Sequence, residues 1–299
     1  MVGAAVVRRL ASEQCEVVGA ASDELDLRRQ ADVERWMDAN RPDVVILAAA
    51  RVGGVYANDT RPAEFLYDNL MIETNLIEAA RAVGVRKLVF LGSACIYPRE
   101  APQPMAESAL LTGSLEPTNQ WYAVAKIAGI KLAQAYRLQH GCDFISLQPT
   151  NLYGPGDNFD LTASHVIPAL IRKAIAARDE GAAEMVVWGS GKPLREFLHV
   201  EDLADAIVFL TRTYSDAEIV NVGSGEEVSI RELAETICDI VGFGGRLTFD
   251  AGKPDGVMRK LVDSSKLHAL GWRAPTGLRE GLEKTIKWFE QTQGQARGL

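Results

Sequence analysis

Tyr122 and Lys126 stand four residues apart in Gln120-Trp121-Tyr122-Ala123-Val124-Ala125-Lys126, and on a helix such positions share a face. An ammonium held beside a phenol lowers the phenol pKa. The phenol can then give its proton to a carbonyl oxygen as hydride arrives, or take one in the reverse direction. The spacing alone recurs by chance and reads equally well as a surface pair. It gains weight from Leu91-Gly92-Ser93, an apolar strand running into a small-residue turn, because a hydroxyl at the carboxyl end of a sheet can polarise the same carbonyl.

These side chains need a frame, and the apolar runs supply one. Glu16-Val17-Val18-Gly19-Ala20-Ala21, Asp43 through Ala50, Lys87 through Ser93 and Asp143 through Gln148 read as buried strands. Helical stretches lie between them at Asn69 to Val83 and after Trp121, and another opens the chain at Val2 to Ser12. Short continuous apolar strands alternating with helices predict an α/β fold with a doubly wound parallel sheet covered on both faces. Beyond Pro149 the pattern loosens into turn-rich Tyr153 to Asn158 and Trp188 to Pro193, with a helix starting near His165. Val200 to Thr211 reads as a helix, Ile219 to Gly223 as a strand, and Ser229 to Val241 as a helix stopped by Gly242. The expected division is a dinucleotide-binding domain of residues 1–153 plus about 196–223, and a smaller α/β substrate lobe of 154–195 plus 224–299.

Composition narrows the partners. Of 299 residues 47% are hydrophobic, which suits a folded globular chain. The 40 acidic residues outnumber 32 Lys and Arg, giving a net charge of -8, so neither nucleic acid nor a membrane surface is an expected partner. A few cations gathered in one cleft can still hold an anionic substrate. Cys15, Cys95, Cys142 and Cys238 form no C-x-x-C pair, so no metal site or disulfide framework is expected. No apolar run approaches the roughly 18 residues of a spanning helix, and no signal-type segment opens the chain. A cytoplasmic protein is the expectation.

A dinucleotide-binding domain opens with a strand, a glycine-rich turn and a helix whose N-terminus holds the pyrophosphate. Met1-Val2-Gly3 followed by Ala4 to Leu10 reads as the third glycine of that fingerprint and its helix. The first strand and two glycines are absent, which predicts a natural start upstream by roughly 10 to 15 residues. That strand lies mid-sheet in the usual order, so its loss should leave both neighbours unpaired beside an open groove. Gly3 also reads simply as a small residue near a chain end.

Taken together, the turn bearing Ser93 and the Tyr122–Lys126 pair resemble the extended short-chain dehydrogenase/reductase family, whose reducing set is Ser or Thr, Tyr and Lys. A narrower likeness is carried by Leu47 to Gly54, Gly92 to Pro98, Pro149-Thr150-Asn151-Leu152-Tyr153-Gly154-Pro155, Ser164 to Leu170, Arg195 to Val200 and Lys253-Pro254-Asp255-Gly256. These blocks are similar to those of enzymes that epimerise and then reduce a GDP-linked 4-keto-6-deoxy-hexose. The resemblance implies that Cys95 and His165 are the base and acid that invert the carbons flanking the ketone, a task a thiolate and an imidazolium can perform near neutral pH. Taken singly, Cys95 reads as a small buried hydrophobe and His165 as a residue at a helix start.

The same resemblance implies NADP as cofactor, with contacts at Gly3, Ser22, Asp26, Leu27, Leu91, Gly92, Ser93, Lys126, Pro149, Thr150, Asn151, Leu152 and His165. Ser22 can hydrogen-bond a phosphate but brings no charge, so the residues themselves leave NADP against NAD open. Asp26 and Leu27 match an adenine-contacting pair and equally an N-cap and staple. For the GDP end the match indicates Lys173, Trp188, Arg195, Arg246 and Lys260, as phosphate cations or a stacking surface. A homodimer packed through the Tyr122 helix is also implied. A dehydratase would need Asp-Glu after Ser93, where Ala94-Cys95 stands, and a 4-epimerase would leave Cys95 and His165 idle. A non-catalytic NADP-binding or scaffolding protein is the alternative of another class.

Overall fold

The computed structural model of the chain describes residues 1–160, 164–253 and 255–292. The first half runs α1 (Val2–Leu10), α2 (Gln30–Asn40), β1 (Val44–Leu47), α3 (Val55–Thr60), α4 (Pro62–Val83), β2 (Lys87–Leu91), α5 (Gln120–His140), β3 (Phe144–Pro149) and β4 (Asn151–Tyr153). There follow α6 (Val166–Asp179), β5 (Glu184–Trp188), β6 (Leu194–His199), α7 (Val200–Thr213), β7 (Val220–Val222), β8 (Glu227–Ser229) and α8 (Ile230–Val241). Last come β9 (Arg246–Asp250), β10 (Arg259–Lys260), α9 (Ser265–Ala269) and α10 (Leu278–Gln291).

The main sheet is parallel, in the order β1-β2-β3-β7. Alternation along β2 explains why it is covered on both faces. Leu88 and Phe90 join a core with Val33 and Met37 of α2, Ile77 of α4 and Ile130 of α5. Val89 and Leu91 join another with Ala5 and Val6 of α1 and Leu203 and Ile207 of α7. The predicted α/β class and helix-covered parallel sheet are observed.

One expectation about the start of the chain, the strand at 16–21, is overturned. Residues 16–21 form no strand and are exposed: a run of apolar residues becomes a strand only where another backbone edge accepts its hydrogen bonds, and none among the described residues does. β1 pairs with β2 from Val44↔Lys87 to Leu47↔Phe90 and has no strand on its other edge among the described residues. In consequence the sheet order shows no reversal among the described strands.

Past Pro149 the backbone leaves this sheet within one residue. β4 pairs with β6, which also pairs with β10 and antiparallel with β8. A third core collects Ile167 and Ile171 of α6, Leu233 and Ile237 of α8, and Leu282 and Phe289 of α10. Helix α8 is fixed at both ends: Ser229 and Glu232 form a reciprocal capping box, and Gly242 stops it with φ +81°. No helix among the described residues is long and apolar enough to cross a membrane.

Candidate active site

Ser93 sits where β2 ends. Its backbone N–H donates to Gln148 Oε1 at 3.0 Å, and its Oγ accepts from the Cys95 N–H at 3.2 Å, capping the short turn 94–96. Gly92 makes this possible, since a Cβ there would lie 1.9 Å from Gln148 Oε1. The carboxamide of Gln148, on β3, is fully buried and its Nε2 has no partner among the described residues.

Tyr122 and Lys126 do share a face of α5. The Lys126 ammonium is 5.8 Å from the Tyr122 ring centre and 4.8 Å from that of Phe90. It is almost wholly buried and pairs at 2.9 Å with Glu73 of α4. Burial first, and then the negative charges of Cys95 and Glu73, hold the Tyr122 phenol well above its ordinary value, opposed by a hydrogen bond with Ser93. The expectation that the ammonium lowers this phenol is overturned, because the lysine charge is spent on Glu73 and the ring lies out of water.

Cys95 is the most worked-upon group of the cluster. Lys260 Nζ and Asn119 Nδ2 each donate to its Sγ at 3.4 Å. Burial pushes the thiol up, yet the Lys260 charge, with hydrogen bonds involving Ser93 and Lys260, outweighs it and leaves Cys95 below its ordinary value. An electropositive pocket of this sort is what a working thiolate needs. Lys260, which the resemblance places at the GDP end, thus also meets Cys95.

His165 is the N-cap of α6, exposed, with no side-chain hydrogen bond among the described residues. The structure brings it into no direct contact with Cys95. Two turns further along α6, the Lys173 ammonium lies 4.8 Å from the centre of the exposed Trp188 ring, and burial lowers its pKa. Lys253 approaches the same ring at 5.2 Å. Arg195 donates to the carbonyls of Leu194 and Asp255 and makes no ion pair among the described residues, and burial lowers its pKa despite the charge of Asp255. Arg246 does not join them. It pairs with Glu184 at the opposite end of the β5–β9 ladder from Trp188, roughly 13 Å away along the strand. Pro254 of the quoted block lies outside the described residues.

Of the residues matched to the cofactor, Leu91, Gly92, Ser93, Pro149, Thr150, Asn151 and Leu152 gather at the ends of β2 and β3. Asn151 Nδ2 donates to the Glu196 carbonyl at 2.8 Å, and the Thr150 N–H to that of Val222 at 3.0 Å, so the passage between the two sheets is fixed. Gly3, in the first turn of α1, approaches Ala48 beyond β1. Ser22 is exposed. Asp26 pairs with Arg28 at 2.8 Å, and that hydrogen-bonded pair brings its pKa to about 2. Leu27 packs on the first core. Arg29, not Asp26, is the N-cap of α2. No side chain caps α1, and its first N–H groups favour acceptor oxygens. Sequence reasoning missed Glu73, Asn119, Gln148 and Lys253, and only Asn119, a capping type just before a helix, carried a local signal.

A Ser–Tyr–Lys set at the end of a parallel sheet defines a class of protein, and the comparisons agree with it. The model of the NAD dependent epimerase/dehydratase family matches residues 1–223, and the chain belongs to this family. GDP-L-fucose synthase 1 of Arabidopsis thaliana is 60% identical over 290 residues, covering 97% of this chain and 90% of that protein. GDP-L-fucose synthase of Escherichia coli K12 is 51% identical over 308 residues, covering 100% and 96%. Among solved structures, a GDP-L-fucose synthetase from Naegleria fowleri bound to NADP has a TM-score of 0.93 at 33% identity, covering 99% of this chain and 91% of that one.

Proposed function

We propose that this chain converts GDP-4-keto-6-deoxy-D-mannose to GDP-L-fucose, by 3,5-epimerisation followed by NADPH-dependent reduction of the 4-keto group. The observation that carries the reading is a thiol held by an ammonium beside a reductase set: Cys95, under Lys260, shares Ser93 with Tyr122. A simple ketone reduction has no use for such a thiol.

Cys95, as thiolate, takes the proton from a carbon alpha to the ketone. Ser93 Oγ and Tyr122 OH donate hydrogen bonds to the oxygen that gains charge, in a half-buried site where such bonds are strong. His165, from the N-cap of α6, returns a proton on the other face. NADPH, when bound, supplies hydride to carbon 4. Tyr122 then gives its proton to the alkoxide oxygen, and its raised pKa keeps it protonated until that moment. The raised phenol thus suits the reductive direction.

Residues 1–153 plus about 196–223 are assigned to the cofactor and 154–195 plus 224–299 to the nucleotide sugar, a division supported by the separate cores around β2 and α6. Trp188 offers a stacking surface, and Lys173 and Arg195 offer cations for the diphosphate. A homodimer through α5 and α4 is supported by exposed Trp121, Val124 and Tyr67. A cytoplasmic setting suits four unpaired cysteines. The test is incubation with NADPH and GDP-4-keto-6-deoxymannose, following loss of reduced nicotinamide absorbance and identifying the product sugar. Absence of NADPH oxidation by folded protein would sink the reading.

A further inference from the structure

One buried charge is left unexplained by that mechanism. Glu73 is fully buried on α4, and its carboxylate meets Lys126 at 2.9 Å with both side chains at 2% exposure or less. A buried pair of this kind gives little net stability over apolar residues of the same volume, so stability alone does not account for it. The opposing helix is also shaped to receive it. Gly129, one turn beyond Lys126 in the middle of α5, is where an added Cβ would lie 2.7 Å from Glu73 Oε2 and 2.4 Å from the Phe90 ring. A mid-helix glycine costs about 1 kcal/mol relative to alanine, and here it opens the space the carboxylate enters.

We propose that Glu73 is a positioning residue for the reduction: it fixes the Lys126 ammonium behind Tyr122 and biases the pair toward giving a proton to the ketone. The inference rests on the reductive roles proposed for Tyr122 and Lys126. Neither Glu73 oxygen has a hydrogen bond of good geometry, so its contribution is charge at a fixed place. The ionisable groups facing the pair are Tyr122 on α5, Cys95 on the turn after β2, and Lys260 of β10 against Cys95. Burial pushes the Glu73 carboxyl up and the Lys126 charge draws it back. The Glu73 charge in turn favours the protonated phenol of Tyr122, after burial and Cys95.

The test compares the parent with Glu73→Gln and Glu73→Asp in two assays: NADPH-dependent reduction across pH, and solvent deuterium wash-in to the sugar without NADPH. In Glu73→Gln, kcat for reduction should fall by about tenfold or more while wash-in should stay within about threefold. Glu73→Asp, which keeps the charge, should retain most of the parent kcat for reduction, and it carries the comparison if Glu73→Gln does not fold. An unchanged kcat for reduction in folded Glu73→Gln overturns the inference alone. So does a parallel fall of both activities in the two variants, which would mark a merely structural role. A parent that shows neither activity fails the reading underneath and takes this inference with it.

Discussion

Replacing Lys260 with Met tests the proposed base most directly. The ammonium lies 3.4 Å from Cys95 Sγ, and no other cation figures among the influences on that thiol. At an effective dielectric near 20, two unit charges at this separation attract by about 5 kcal/mol, a ceiling of roughly 3 to 4 pH units. Water at the open side of the site reduces that ceiling, and the flexible methionine keeps the volume, so the Cys95 midpoint is expected to rise by at least about one pH unit. The sign is fixed by the geometry: burial already pushes the thiol up, and without Lys260 nothing of equal size pulls it back.

The assay is the pH dependence of iodoacetamide alkylation, read by mass spectrometry on the peptide bearing Cys95 so that Cys15, Cys142 and Cys238 do not contribute. At a pH below the midpoint of both proteins, the thiolate fraction, and with it deuterium wash-in at saturating sugar, should fall about tenfold for every pH unit by which the midpoint rises. Were Lys260 only a contact to GDP, as the family match assigns it, the variant would raise KM and leave both the midpoint and the saturated wash-in alone. An unchanged midpoint refutes the reasoning.

Cys95→Ser should abolish deuterium wash-in at both carbons while leaving the fold intact by circular dichroism; undiminished wash-in at both would remove Cys95 as the base. Arg195→Lys should raise KM for the GDP sugar by about tenfold or more with a smaller change in kcat, since a point charge replaces a planar fork. Gly92→Ala forces Cβ against Gln148 Oε1, 1.9 Å away in the present packing, and should cost about 1–3 kcal/mol in urea unfolding together with reduced kcat from a displaced Ser93.

What the sequence made legible was local. Leu91-Gly92-Ser93 could be read as a strand end because the apolar run and the turn are adjacent, and Tyr122 with Lys126 because helical periodicity alone places them on one face. Residues 16–21 misled for the complementary reason: their composition suits a strand, but a strand is a pairing, and the partner edge is not a property of the segment. The Tyr122 phenol was read with the wrong sign because a neighbouring ammonium is visible in sequence while burial and Glu73 are not. Lys260 and Cys95 are 165 residues apart, and no local pattern joins them.

Their meeting has a consequence for how the two halves work together. The segment that ends in β10 carries Lys253 toward the Trp188 ring at one point and Lys260 onto the Cys95 thiol at another. Asp255, between them, accepts from the Ser190 N–H and hydroxyl at 2.6 and 2.8 Å, tying the segment to the turn after β5. On the proposed function, a nucleotide stacked on Trp188 would touch the same segment that carries Lys260. Lys260 already meets Cys95 in the chain by itself, so truncating the nucleotide should raise KM while leaving the rate of proton abstraction at saturation unchanged.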